Sequence, residues 1–208
     1  MTTAICNSNS SLPEYWEQAY QSGEIAWDIG APTPIFNKWI KSQTHSFTIC
    51  VLGAGNGWDA LNFAKQGHTV TAVDFASSAI ENMRKSAKDL NVNLNLVHSD
   101  IFDLYDILHS KFDIVLEYTC YCAIDPDRRT DYVELVSYLL KPEGMLVALF
   151  FPTDKELNDD GPPYGVELDE TLLSFSKYFK VVEQKKPLLS IERRNGREMF
   201  VILKKYGN

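Results

Sequence analysis

An α/β fold is what this sequence predicts: a doubly wound, mostly parallel sheet of seven strands, with the C-terminal strand running antiparallel. Three observations lead there. Short, β-rich, mostly apolar runs alternate with helix-like stretches through the middle of the chain. A glycine-rich turn, Gly53-Ala54-Gly55-Asn56-Gly57, joins the first of those runs directly to a helix. Two further strand-like runs close the chain with no helix between them.

In chain order, about 45 residues precede the first strand and carry helical patterns over 12–21 and 34–41. A cap over the ligand-binding edge of the sheet is one use for them. The first strand is expected at 47–52, and others at 69–73, 94–97, 112–116 and 144–150. Short runs rich in Val, Ile, Leu and Phe are what strands buried on both faces look like. Helices are expected over 57–67, 77–90 and 127–140, opened by Gly57, Ser77 and Asp125 as cap or turn residues. Right-handed crossovers then give an open parallel sheet whose ligands bind outside the carboxyl ends of its strands. The tail runs at 178–183 and 198–203 are expected to pair as an antiparallel hairpin, and the Asn195-Gly196 step between them favours a turn.

At 208 residues the chain fits one domain, 1–208, with a single core, and a monomer is expected. No run approaches the roughly 20 apolar residues of a membrane span. The opening Met1-Thr2-Thr3-Ala4-Ile5-Cys6 has neither the basic flank nor the apolar run of a secretory signal, so a cytoplasmic location is expected. Cys6, Cys50, Cys120 and Cys122 form no C-x-x-C pair, and no second Cys/His cluster completes a ligand set around Cys120-Tyr121-Cys122. Reduced thiols, no disulfide and no metal follow. A net charge of −8 repels the phosphates of nucleic acid and of anionic lipid, which leaves a small molecule as the expected partner.

The chemistry concentrates at the strand ends. Glycines let the backbone at residues 53–57 turn tightly and approach a ligand, while the following helix offers unpaired N–H groups; a merely structural tight turn is the alternative. A dinucleotide fingerprint would need its third glycine at position 58, which is Trp58, and that bulk is expected to obstruct a pyrophosphate. The earlier third glycine, Gly57, suits the net-neutral, zwitterionic amino-acid end of S-adenosylmethionine instead. Asp74 ends the second strand, about 20 residues past the turn, where it would accept bonds from two ribose hydroxyls; otherwise it is a solvated strand-end carboxylate. Asp100 ends the third, placed to bond an adenine amino group with Ile101 or Phe102 along the ring, or simply to form a turn. Arg128 and Arg129 either steer an anionic acceptor or are solvated charges at a helix start. His45, His68, His98 and His109 are scattered and form no Ser-His-Asp or Cys-His arrangement.

Several separated motifs resemble one family. Trp16-x-x-x-Tyr20 precedes Ile25-Ala26-Trp27-Asp28-x-Gly30-x-Pro32-x-Pro34. The glycine turn and Asp74 follow, then the stretch from Glu117 through Cys120-Tyr121-Cys122 to Asp127-Arg128-Arg129, then Leu140-Lys141-Pro142-Glu143-Gly144 and Gly161-Pro162-Pro163-Tyr164. Together they resemble the thiol, halide and thiopurine methyltransferases, within the class I S-adenosylmethionine-dependent methyltransferases, over residues 15–198. The resemblance implies the Rossmann-like methyltransferase fold, with 12–45 as a helical lid over the cofactor site. It implies S-adenosylmethionine as methyl donor, contacted by Trp16, Tyr20, Trp27, Gly53, Gly55, Asp74, Phe75, Asp100, Ile101 and Tyr118, with Arg129 and Tyr164 on the acceptor side. The acceptor it implies is a small soft nucleophile: a thiol, a thiopurine or a halide. Another small O, N or metalloid acceptor, or a non-catalytic S-adenosylmethionine-binding module, is the alternative. Tyr20 stands where plant members tend to have Trp, and Tyr118 follows Glu117 where Asp is usual, so acceptor preference is not inherited. A thiol, with a reference pKa of about 8.5, needs no dedicated general base.

Overall fold

Alternation along each strand decides which side of the sheet a residue serves. In β1 (Thr48–Leu52), Ile49 and Val51 enter one layer, Cys50 and Leu52 the other, and all four are buried. Both faces are therefore covered, as the unbroken apolar runs predict. In this computed structural model, which describes residues 10–157 and 161–207, six further strands join β1. They are β2 (Thr69–Asp74), β3 (Asn95–His98), β4 (Phe112–Tyr118), β5 (Leu140–Phe150), β6 (Phe179–Lys185) and β7 (Met199–Lys205). The expectations about the opening six residues and Cys6 lie outside the described residues.

The strand order is β3-β2-β1-β4-β5-β7-β6. Strands β1 to β5 run parallel, and β7 runs antiparallel to both β5 and β6. On the Ile49 side lie α2 (Pro34–Lys41), α3 (Trp58–Lys65) and α4 (Ser77–Leu90), which contribute Phe36, Phe63 and Met83, all fully buried. On the Cys50 side lie α5 (Arg129–Leu139) and α6 (Leu168–Phe175), which contribute Tyr132, Leu135 and Phe175. Helix α1 (Pro13–Ser22) buries no residue and ends at Gly23 with φ 77°. After β1 the chain travels outward through β2 to β3 and returns to β4 on the other side of β1. The carboxyl ends of β1 and β4 thus flank the crevice where α/β sheets bind ligands.

The structure departs from the sequence reading in three places. Helix α6 is absent from that reading because its two turns bury only Thr171 and Phe175, too few positions for a visible helical period. Strand β5 starts at Leu140 rather than near 144, because Leu140 pairs with Phe112 before the register shifts. Glu143, at φ 63°, makes the intervening bend. The Asn195-Gly196 step does form a turn, with Arg197 N–H donating to Arg194 C=O at 3.0 Å and Gly196 at φ 79°. It sits at the end of a long connection, however, and does not close a tight hairpin. Among the described residues no helix is long and apolar enough to cross a membrane.

Candidate active site

A cavity of about 530 Å³ opens at the carboxyl ends of β1 to β4. Its floor is the glycine turn. Gly53 and Gly55 have φ of 57° and 58°, in the left-handed region where a side chain is strained. Space is tight for a side chain there as well. A Cβ on Gly53 would lie 3.0 Å from Cys120 Sγ, and one on Gly55 would lie 3.3 Å from the Tyr20 hydroxyl. Cys120 comes from the loop after β4 and Tyr20 from α1, so the floor touches both neighbouring walls.

Asp74, at the end of β2, is only 7% exposed. Its Oδ2 accepts the Gly55 N–H at 2.8 Å and its Oδ1 the Ala76 N–H at 2.9 Å. Burial pushes its pKa up, and those backbone hydrogen bonds oppose the rise. The carboxylate thus fixes the glycine turn while keeping a second lone pair on each oxygen. Asp100, after β3, caps the 3₁₀ turn Ile101–Asp106 by accepting the Phe102 N–H on Oδ1 at 2.9 Å. Ile101 and Phe102 line the same wall, and the Arg128 guanidinium stacks 3.6 Å from the Phe102 ring centroid.

The roof is aromatic. Trp27 meets Trp16 and Tyr20 edge to face, with ring centroids at 5.1 and 5.7 Å. Glu17 of α1 docks the roof onto the start of α4, accepting the Ser78 N–H at 3.0 Å and its hydroxyl, and those bonds lower its pKa. Farther along, Thr33 donates its N–H and its hydroxyl to Asp59, at 2.8 and 2.7 Å. Burial pushes Asp59 up to about 6 against those bonds.

The wall after β4 turns at Thr119, whose φ of 60° is a strained value for a β-branched residue. It brings Cys120 and Cys122 onto the cavity. Burial raises both thiols, Cys122 to about 12 and Cys120 well above its ordinary range, so both stay protonated at neutral pH. Behind them Glu117, 1% exposed, accepts the Tyr121 N–H at 2.8 Å and the Tyr132 hydroxyl. Burial pushes Glu117 up to about 7.

Trp16, Tyr20, Trp27, Gly53, Gly55, Asp74, Phe75, Asp100 and Ile101 thus come together around one cavity. Tyr118, Arg129 and Tyr164 do not. Tyr118 follows Glu117 in β4, so alternation turns it to the α2 side, where its ring meets Phe36 edge to face and its hydroxyl donates to Glu198 at 2.6 Å. Arg129 points inward at the start of α5, donating to Gly165 C=O at 2.9 Å, and Arg128 lines the cavity in its place. Tyr164 packs its ring against Gly161, and Pro162 and Pro163 form the wall there. Trp58 also acts otherwise than expected. Its indole turns out of the cavity and donates to Asp28 at 2.8 Å. A pyrophosphate is disfavoured at that helix start because Asp28 and Asp59 already bring carboxylates to it.

Sequence reasoning missed Arg193, Arg194 and Arg197, which also line the cavity. The signal available was three arginines within five residues of an acidic chain, obscured by the Asn-Gly turn among them. Arg194 is 3% exposed and Arg197 pairs with Asp154 at 2.8 Å. Among the described residues no histidine lines the cavity.

The profile of the thiopurine S-methyltransferase family matches residues 12–203. The chain is 31% identical over 157 residues to probable thiol methyltransferase 2 of Arabidopsis thaliana, covering 74% of this chain and 68% of that protein. It is 30% identical over 193 residues to thiocyanate methyltransferase 1 of Brassica oleracea, covering 88% of this chain and 81% of that protein. Among solved structures it superposes on Burkholderia thailandensis 1,6-didemethyltoxoflavin-N1-methyltransferase, with bound 1,6-didemethyltoxoflavin and S-adenosylhomocysteine, at a TM-score of 0.75. Identity there is 21%, covering 99% of this chain and 92% of the other, a likeness of fold.

Proposed function

The chain belongs to the thiopurine S-methyltransferase family and takes its methyl group from S-adenosylmethionine, and from this premise we propose that it passes the group to a small soft nucleophile held as an anion, a thiolate or thiocyanate. The observation that carries this reading is a cluster of three arginines on one side of the cavity, facing Asp74 and Asp100, with Arg128 stacked on Phe102 beside Asp100. Asp74 and Asp100 stand after β2 and β3, while Arg193, Arg194 and Arg197 stand before β7, with the floor of β1 and the wall of β4 between them. A cationic donor suits the first side and an anionic acceptor the second.

The residues present fit the donor. Side chains at positions 53 and 55 would meet Cys120 and Tyr20, so the floor is kept clear down to the backbone. S-adenosylmethionine, when bound, supplies an electrophilic methyl group on a sulfonium centre. Asp74 would accept two ribose hydroxyls on its remaining lone pairs, and Asp100 an amino group of the base, with Ile101 and Phe102 against the ring faces. Trp16, Tyr20 and Trp27 present ring faces and edges above the floor, and a cation over such a face gains roughly 0.5–2 kcal/mol. The same rings exclude water, which favours the meeting of a cation and an anion because hydration stabilises them apart.

The arginines do the acceptor-side work. Arg197 is met by Asp154, and Arg194 shares Tyr118 with Glu198, so Arg193 on this side is the charge least compensated for an incoming anion. A guanidinium near a thiol lowers its pKa and raises its thiolate fraction at neutral pH. No general base is then required, in keeping with a wall of protonated thiols and no histidine.

A turnover screen tests the reading: S-adenosylmethionine with thiocyanate, iodide, sulfide, a simple alkyl thiol, a thiopurine, a catechol and a primary amine. Methylation of thiocyanate, or of the thiols with a rate that rises with pH as they ionise, is expected. Methylation of the catechol or amine alone would refute it.

A further inference from the structure

The aromatic roof is gripped from the far end of the chain. Arg193 Nη2 donates to the carbonyl of Asp28 at 2.6 Å, and Arg194 Nη2 donates to the carbonyl of Trp27 at 2.6 Å. Consecutive arginines thus hold consecutive carbonyls across more than 160 residues of sequence. Their settings differ. Arg193 is exposed, whereas Arg194 is 3% exposed, with its guanidinium 4.8 Å from the Tyr118 ring centroid and 4.9 Å from that of Phe151. Glu198, 2% exposed, accepts the Tyr118 hydroxyl on Oε1 at 2.6 Å and so brings a counter-charge to the same cluster.

A buried guanidinium is costly unless it is compensated, and this one is compensated incompletely. Arg194 Nη1 and Glu198 Oε2 are both buried without a hydrogen-bond partner among the described residues. Pairing of β7 does not require the arrangement, since that strand begins at Met199. What the arrangement holds is Trp27, the ring on which Trp16 and Tyr20 both rest. Its Nε1 lies 3.9 Å from where a Cβ on Gly55 would stand. Movement of Trp27 would therefore move the whole roof relative to the floor. The two flanks of the segment are already anchored, by Glu17 on Ser78 and by Thr33 on Asp59. The arginine grip falls between them.

We propose that Arg193 and Arg194, with Tyr118 and Glu198 fixing the latter, are positioning residues that latch the aromatic roof over the glycine floor, so that the segment before β7 sets how tightly the donor is retained. This rests on the cavity being the donor site. Arginine is specified because a planar guanidinium donates to the carbonyl while its faces lie against Tyr118 and Phe151, which a lysine ammonium cannot reproduce.

The full chain carrying Arg194→Lys, Arg193→Gln or Tyr118→Phe tests the latch. Each is compared with the wild type for adenosylhomocysteine affinity by calorimetry and hydrogen exchange over 16–34 with and without that ligand, and the first and last also for donor KM against kcat with thiocyanate as acceptor. Arg194→Lys is expected to raise the dissociation constant and the donor KM roughly tenfold, the scale of one charge-assisted hydrogen bond, and to reduce the ligand-induced protection. The exposed Arg193→Gln should raise the dissociation constant about threefold with an unchanged melting temperature, which keeps the test sharp if the buried variant folds poorly. For Arg194→Lys and Tyr118→Phe, changes in kcat at saturating donor and thiocyanate should be smaller than those in donor KM; Arg193→Gln, which also removes a charge from the acceptor side, is read by adenosylhomocysteine affinity and exchange alone. If the wild type is protected on binding and the folded variants bind and protect equally, the latch is refuted while the donor site stands. If the wild type gains no protection over 16–34, the reading of the roof falls and the latch with it.

Discussion

Replacing Glu117 by glutamine should change how stability depends on pH, and the direction follows from burial. The carboxyl is 1% exposed and its pKa rises from the ordinary 4.5 to about 7. A raised carboxyl pKa means the folded state binds the proton more tightly than the unfolded chain. Its effect on stability is therefore favourable below about 4.5 and is lost as pH climbs through about 7. At ~1.4 kcal/mol per pH unit, a rise of that size corresponds to roughly 3 kcal/mol, an upper figure for so enclosed a group. The Glu117→Gln side chain would carry no charge at any pH, and its amide oxygen would still accept the Tyr121 N–H while the Tyr132 hydroxyl rotates to accept from the amide nitrogen. Urea unfolding of both proteins from pH 4.5 to 8.5 checks this. Other titrating groups, including Asp59 with its pKa near 6, are common to both and cancel in the difference. The variant should gain on the wild type steadily between about pH 5 and 7.5, by up to roughly 3 kcal/mol, and then level off. A difference independent of pH would show that Glu117 keeps one protonation state throughout and would refute the reasoning.

Two further substitutions address the donor side. Asp74→Asn puts an amide nitrogen opposite one of the N–H groups of Gly55 and Ala76 and removes the charge behind any ribose hydrogen bond; adenosylhomocysteine affinity should fall by roughly 1.5–3 kcal/mol in calorimetry, and an unchanged value would remove Asp74 from the donor site. Gly55→Ala strains a backbone at φ 58° by roughly 1–2 kcal/mol and presses a methyl group on the Tyr20 hydroxyl, so donor affinity should fall by more than the melting curve alone implies. Equal losses in both would mean that the roof does not rest on the floor.

The part of the site that could be read from the sequence is the part that local structure builds. A strand, a glycine turn and a helix lie within about 20 residues, and the sheet order then sets Asp74 and Asp100 beside that turn with no help from distant segments. Strand periodicity also separates two neighbours. Glu117 and Tyr118 are adjacent in sequence, and only the register of β4 decides that the first backs the cavity wall while the second turns to α2. At Arg128 and Arg129 the break from a 3₁₀ turn to α5 sends one guanidinium over Phe102 and the other inward to Gly165. No pattern within a few residues distinguishes such neighbours.

The acceptor side and the roof's grip are of another kind. Arg193 and Arg194 read locally as charges before a turn, and the turn is real. Their partners, Asp28 and Trp27, lie at the other end of the chain, and the meeting depends on β7 inserting between β5 and β6. Were β6 beside β5 instead, the connection carrying these arginines would lead to the outer edge of the sheet, one strand farther from β1 and its glycine floor. The antiparallel insertion of the last strand is therefore what delivers three arginines to a cavity whose other side holds Asp74 and Asp100, in a protein whose net charge is −8. An anionic acceptor would be repelled by the net charge of the molecule and attracted by this arginine cluster, so raising ionic strength should weaken the local attraction and the overall repulsion together.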